Sequence, residues 1–421
     1  MDDTHYSDVI IIGGGPAGTT AGTLLCRKGW QVTLFEKETH PRFHIGESLL
    51  PGNLPIFEEL GVLEDIKRIG IFKPGADFSM PDEPDSHTTF QFDRALGDSP
   101  GYAYQVKRSE MDQLLFENCA ANGVDCRQNH TVTKVALRSN GLHELHIADE
   151  RGLEQRWSCK FLIDASGRDT MLASQEKWKE RNPSHASAAL FTHFDKVARR
   201  PGSESGNISI YWFEGGWIWM IPLSSGVTSV GVVARPAYLQ QRKTDQDQFL
   251  LDTVKKSQGA WERLRDAKAL MPVKATGNYS YFSARQLGQG YALVGDAYAF
   301  IDPVFSSGVY LAMSSGTDIV PVAEAWLNND QRLYARECKK YTDKINRGIR
   351  TFSWFIYRFT TPAMMMLFRN PKNAFRLEQA VTSMLAGDVY GTPAIQLRLW
   401  LFKLVYSVSR LIYPDRSPDA A

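Results

Sequence analysis

Cysteine is scarce and scattered in this 421-residue sequence. Cys26, Cys119, Cys126, Cys159 and Cys338 are odd in number and include no Cys-x-x-Cys pair. That argues against a disulfide framework and a thiolate metal site, so no metal is expected, and a reducing, cytoplasmic setting fits. Long apolar runs are also missing: none reaches the roughly 18 residues that a membrane span needs. Charge of one sign is lacking too. The 48 Lys and Arg balance 47 Asp and Glu to a formal net charge of +1, which gives a nucleic-acid surface no support. The opening "MDDTHYSDVIIIGGG" has neither a basic n-region nor a small-residue cleavage site and reads as a β-strand rather than a signal peptide. No repeat of 20–50 residues is present. What remains is a 43% hydrophobic composition, ordinary for a globular chain long enough for two or three packed units.

The most specific stretch is "DVIIIGGGPAGTTAGTLLCRKGWQVTLFEKE". Val9–Ile12 form the apolar run of a buried parallel strand. Gly13, Gly15 and Gly18 follow at GxGxxG spacing and open a helix rich in small residues. Glycines there permit a tight turn, close approach to a pyrophosphate and close helix–strand packing, with the phosphate on the helix N-terminus. The second strand ends in Glu36, where a carboxylate accepts bonds from ribose hydroxyls. The fingerprint alone leaves FAD and NAD both open. A later segment, "GYALVGDAYAFIDPVFSSGVYLAMSSGTDI", runs as a strand into Gly295-Asp296-Ala297 and then a helix after Gly308. Asp296 would meet a sugar hydroxyl, and the helix would offer its first amides to a flavin ring. "FLIDASGRDT" adds a further strand followed by Asp164, Gly167 and Arg168.

Together these three segments resemble the flavoprotein aromatic hydroxylases over about the first 330 residues. Arg108 and Asp112, in "QVKRSEMDQLL", match that family's arginine-bearing helix beside the flavin. The resemblance implies bound FAD. It adds Pro16, Ala17, Lys37, Arg42, Gly46, Glu47, Ser48, Pro303 and Val309 to the expected cofactor contacts. It also implies an α/β fold: a Rossmann-like, doubly wound FAD-binding domain with an interleaved β-sheet substrate region and a C-terminal helical extension. The expected boundaries are 1–345 for the flavin module and 346–421 for helices covering the substrate tunnel. Within the module, 1–79, 101–175 and 285–330 are assigned to FAD, and 80–100 and 176–284 to the sheet.

Three motifs narrow the resemblance to the flavin-dependent halogenases. "GWIWMIP" places Trp217 and Trp219 on one face of a strand, followed by Ile221 and Pro222. It looks like the W-x-W-x-I-P signature whose indoles wall the flavin off from organic substrate, although two tryptophans buried in a sheet core would read the same way. "FIDPVFSSG" matches F-x-x-P-x-x-S-x-G, and amides at a helix start near Ser306, Ser307 and Gly308 suit a halide. Lys73, in "GIFKPGADF" after "HIGES", matches the family's essential lysine, although a single lysine is far more often a surface charge. The resemblance implies that FADH2 and O2 give a flavin hydroperoxide, that chloride or bromide attacks it to form hypohalous acid, and that Lys73 delivers the halogen to an electron-rich ring. Whether the ammonium polarises the oxidant or forms a haloamine stays open.

Where tryptophan halogenases carry a glutamate, this chain has Phe305. With "HIGESLLP" and "FSSGV", that resembles the branch acting on phenols and pyrroles, free or tethered to a carrier protein. No second nucleotide fingerprint is present, so electrons are expected from a separate flavin reductase. A hydroxylase using NAD(P)H directly is the alternative. "AGDVYG" resembles a turn of the same branch. In the tail, Leu397, Leu401, Leu404, Val408 and Leu411 recur at helical spacing, which predicts an amphipathic helix packing as a lid, with a membrane-surface or partner-docking face as the alternative.

Overall fold

The computed structural model describes residues 4–81, 83, 86–139, 141–182, 186–277 and 280–414. Some residues of the expected segments 80–100 and 176–284, and the last residues of the C-terminal region, lie outside the described residues.

The apolar run at the start forms the strand Thr4–Ile12, at the centre of a largely parallel sheet. Val9, Ile10 and Ile11 are completely buried because the sheet is covered on both faces. Glu154–Asp164 and Val32–Phe35 flank it in parallel, with Tyr291–Leu293 and Asp125–Arg127 further out. The helix Pro16–Arg27 packs against the helix Ser307–Asp318, so residues nearly 300 apart in sequence are brought to one end of the sheet. An antiparallel hairpin, Thr131–Ala136 and His143–Ala148, pairs with the first half of Glu154–Asp164.

A second, mostly antiparallel sheet runs in the order Lys268–Ala269, Ala188–Asp195, Thr228–Ala234, Gly216–Pro222, Ile208–Phe213, Gly75–Ser79 and Thr88–Gln91. The strand Gly75–Ser79 belongs here, so the expected FAD-binding segment 1–79 overruns the sheet boundary. Gly216–Pro222 is buried along its whole length between two neighbours, with Trp219 opposite Gly231. A Cβ on Gly231 would sit 2.3 Å from the Trp219 ring, so the missing side chain makes room for the indole.

The C-terminal helices close over this sheet. The helix Gln331–Ile356 runs unbroken through the expected boundary at 345/346, so the extension starts within a continuous helix. Pro362–Arg369, Leu377–Leu385 and Pro393–Ile412 follow. The last helix turns the other way from the expected one. Ile395, Leu399, Phe402 and Tyr406 are buried and Leu401 packs partly against the core, while Leu397, Leu404, Val408 and Leu411 face outward. Aromatic packing decides the orientation: Phe402 stacks on Phe355 at 5.4 Å and Tyr406 meets Trp354 edge-on at 5.3 Å.

Candidate active site

The carboxyl ends of the parallel strands open into a cavity of about 630 Å³. Its floor is the turn after the first strand. Gly13 takes a left-handed φ of +105°, and a Cβ there would fall 2.4 Å from the Ala165 carbonyl oxygen. Gly15, Pro16 and Ala17 face the cavity at the start of the helix. Gly18 does not. It lies against the Gly13 carbonyl, where a Cβ would be 2.0 Å away, and serves the packing of helix on strand.

At one end of the cavity the Glu36 carboxylate accepts the Gly14 N–H at 2.8 Å and the Glu38 N–H at 2.9 Å, with the Arg42 guanidinium 3.7 Å away. Lys37, also on the rim, pairs with Asp169 at 2.5 Å, which raises its pKa. At the other end Arg108 is clamped: it donates to both oxygens of Asp112 at 2.8 and 2.9 Å and to the Ile45 carbonyl at 2.9 Å. Asp296 faces the same space. Burial raises its pKa to about 6 against the lowering pull of Arg168 and Arg108. His44, which sequence reasoning did not single out, also lines the cavity; burial lowers its pKa to about 4, and its Nδ1 lies 2.8 Å from the Ile45 carbonyl. Gly167 lines the cavity, but Asp164 does not. The Asp164 carboxylate accepts the N–H groups of Ser166 at 3.0 Å and Leu172 at 2.8 Å, so it shapes the loop from behind.

This donor set suits FAD. The glycine cradle leaves backbone exposed where a pyrophosphate needs it, Glu36 offers ribose an acceptor, and Asp296 stands where a second sugar-like chain would run.

Beyond Arg108, Asp296, Gly308 and Val309, the cavity narrows into a smaller space of about 100 Å³. Gly46, Glu47, Ser48, Pro303 and Ser306 line it, and Trp217, Trp219 and Ile221 close it. The two indoles stand 5.8 Å apart at 45°, and Trp219 Nε1 donates to Ser229 Oγ at 3.2 Å. Pro222 ends the strand away from this space. Ser306 has a left-handed φ of +57° and turns the chain into the helix Ser307–Asp318. Gly308 borders both spaces, and nothing lies within 4 Å of where its Cβ would be. Ser307 is fully buried and lines neither space. Glu47 Oε1 meets His193 Nε2 at 2.9 Å, while its Oε2 is buried without a hydrogen-bond partner among the described residues. His193 was missed in the sequence because it comes from a distant strand.

Lys73 is only 1% exposed. Its Nζ donates to Ser48 Oγ at 2.8 Å and the Leu49 carbonyl at 2.7 Å, and lies 5.3 Å over the Phe92 ring. No carboxylate among the described residues pairs with it, and burial lowers its pKa to about 7. Ser48 therefore connects the indole-lined space to the lysine. Phe305, buried, packs into an aromatic cluster with Phe359 at 5.3 Å and Phe368 at 6.3 Å, and Phe359 meets Trp217 at 6.5 Å.

The FAD binding domain family matches residues 6–328. A 1H-pyrrole-2-carbonyl-[peptidyl-carrier protein] chlorinase from Pseudomonas fluorescens is 29% identical, over 94% of this chain and 92% of its own. The flavin-dependent halogenase ptaM of Pestalotiopsis fici is 34% identical, over 84% of this chain and 69% of its own. Among solved structures, a flavoprotein/dehydrogenase from Cytophaga hutchinsonii superposes with a TM-score of 0.89 at 28% identity, covering 97% of this chain and 99% of that one. The flavin-dependent brominase Bmp2 follows at 0.83 and 25%, covering 95% and 98%.

Proposed function

The chain belongs to the flavin-dependent halogenases, FAD enzymes built on the FAD binding domain, and from that premise we propose that it passes an oxidised halogen through Lys73 to an electron-rich aromatic acceptor. The acceptor is a phenol or pyrrole borne on a carrier protein. The near end-to-end match with the pyrrole-carrier chlorinase supports the tethered form.

Reduced FAD, when bound, supplies with O2 the two-electron oxidation of chloride or bromide to hypohalous acid. Gly13, Gly15 and Glu36 would hold its nucleotide end, while Arg108, fixed by Asp112, and Asp296 would orient the flavin end. The Ser306 N–H is taken by the Pro303 carbonyl, so the first-turn amides of Gly308 and Val309, which border the small space, are the ones that present partial positive charge to the halide. Trp217 and Trp219 keep the acceptor from the flavin space, so only a small oxidant crosses.

The observation that carries the reading is a lysine sealed from solvent, with no carboxylate partner among the described residues, bonded to a serine of the indole-lined space. With a pKa of about 7, its free amine is well populated at neutral pH. That amine takes the halogen from hypohalous acid, releasing water, and gives it to the ring carbon, which loses a proton.

A separate flavin reductase supplies the reduced cofactor. The test measures NADH oxidation by the purified FAD-loaded protein with and without an added reductase, then mass spectra of phenol, pyrrole and pyrrolyl-carrier acceptors. Reductase-dependent halogenation of the carrier-borne ring supports the reading. NADH-driven oxygenation without a reductase contradicts it.

A further inference from the structure

The helix Pro393–Ile412 is apolar on two sides, and only one is used. Against the body lie Ile395, Leu399, Phe402 and Tyr406. Outward stand Leu397, Trp400, Leu404, Val408 and Leu411, at spacings of three and four, from 46% exposed at Leu404 to 83% at Leu411. Such spacing keeps them on one stripe, and a contiguous exposed apolar stripe marks an interaction surface.

The helix itself carries charge of one sign. The helix holds Arg398, Lys403 and Arg410 and no acid. Between 360 and 414 six Lys and Arg stand against Glu378 and Asp388, whereas the whole chain is balanced at +1. Glu378 is already paired with Arg94 at 2.8 Å.

The same helix walls a groove of about 540 Å³, whose inner end is closed by Phe90 and Phe368 with ring centroids 5.2 Å apart. Behind Phe368 lies Phe305, in the cluster that backs Trp217, and Phe90 is two residues from Phe92, the ring under Lys73. The groove thus runs beside the exposed stripe, along Val405, Ser409 and Tyr413, and ends on the aromatic cluster that backs Trp217.

We propose that the outward face of Pro393–Ile412 docks an acidic carrier domain, whose prosthetic arm enters the adjoining groove. This rests on the carrier-tethered reading above. A second copy of the chain fits less well. Twenty helical residues span about 30 Å. At a width of about 10 Å they bury about 600 Å² between two copies, below the roughly 1,200 Å² of a stable interface. A transient hand-over needs less area, and the positive field speeds encounter with an acidic partner.

The test compares wild type with the double variant Leu404→Gln/Val408→Gln and with Arg410→Glu, all loaded with FAD and supplied by a reductase. The probe is pyrrole-2-carbonyl thioester on a peptidyl carrier protein. The small-molecule control is the same acyl group on N-acetylcysteamine. The expected result is a KM for the carrier-borne ring raised about tenfold with kcat kept. Turnover of the small thioester stays the same in all three proteins. Wild type that halogenates the carrier-borne ring while the variants match its KM overturns the docking assignment. Variants that lose binding to phosphatidylglycerol vesicles but keep the carrier KM make the face a lipid-binding one and overturn it too. Wild type that halogenates free phenols and never the carrier-borne ring removes the tethered reading itself, and the docking proposal with it.

Discussion

Lys73 Nζ lies 2.8 Å from Ser48 Oγ, one group sealed in the protein and the other lining the space that Trp217 and Trp219 close. A charge so buried, with no carboxylate beside it among the described residues, is costly to keep, and the cost shows as a pKa of about 7 rather than 10.5.

Halogenation is therefore expected to rise with pH through about 7 as the amine form fills. Lys73→Arg, which stays charged, is expected to lose about a hundredfold or more in product formation at every pH. Steady-state halogenation rates from pH 5.5 to 9 at saturating reduced FAD check this. A flat profile, or an active arginine variant, contradicts a nucleophilic amine.

The same shift has a signature in stability. The folded pKa of Lys73 lies below its unfolded value, so the unfolded chain binds more protons between about 7 and 10.5. Wild type should gain stability as pH rises across that window, with the penalty for burying the charge fully present below it. Lys73→Met lacks this slope and is expected to be more stable than wild type, most clearly at pH 6–7. Urea denaturation at several pH values reads the difference, and parallel curves would count against it.

Removing the partition tests its purpose. Trp217→Ala deletes an indole that is 5% exposed, with an expected loss of about 3–5 kcal/mol of stability. In the surviving folded fraction the acceptor reaches the flavin space, so an oxygenated product is expected beside the halogenated one. Mass spectra of the products, normalised to bound FAD, give the ratio. Unchanged product chemistry would leave the pair as packing only.

Gly13→Ala forces a side chain into a left-handed φ and against the Ala165 carbonyl. Strain of about 1–3 kcal/mol corresponds to roughly ten- to a hundredfold weaker FAD binding. Fluorescence titration of the apoprotein with FAD measures it, and wild-type affinity would contradict the placement of the turn.

The cofactor end was readable because its information is local: strand, glycines, helix and Glu36 follow one another within one unit. The two tryptophans were readable as neighbours because a strand has a period of two. What escaped depends on chain segments far apart. Glu47 finds His193 only when a strand of the second sheet arrives, and nothing near either residue announces it. Asp164 reads as a cofactor acid from its place after a strand, yet the loop it faces offers two backbone donors first. The tail helix carries two apolar stripes in one sequence. Only the aromatic surface of Trp354 and Phe355 decides which is buried. Gly75–Ser79 joins the second sheet through a parallel pairing with Ile208–Phe213, more than 120 residues on.

The most direct test of Lys73 as halogen carrier is a side-by-side assay of wild type and Lys73→Met with FAD, a reductase, NADH and chloride or bromide. Oxygen consumption and product mass are followed together. The expected result is equal oxygen consumption, with the halogen isotope pattern present in wild-type product and absent from the variant's. Normal halogenation by Lys73→Met, or a wild-type product heavier by one oxygen whatever the halide, would contradict it.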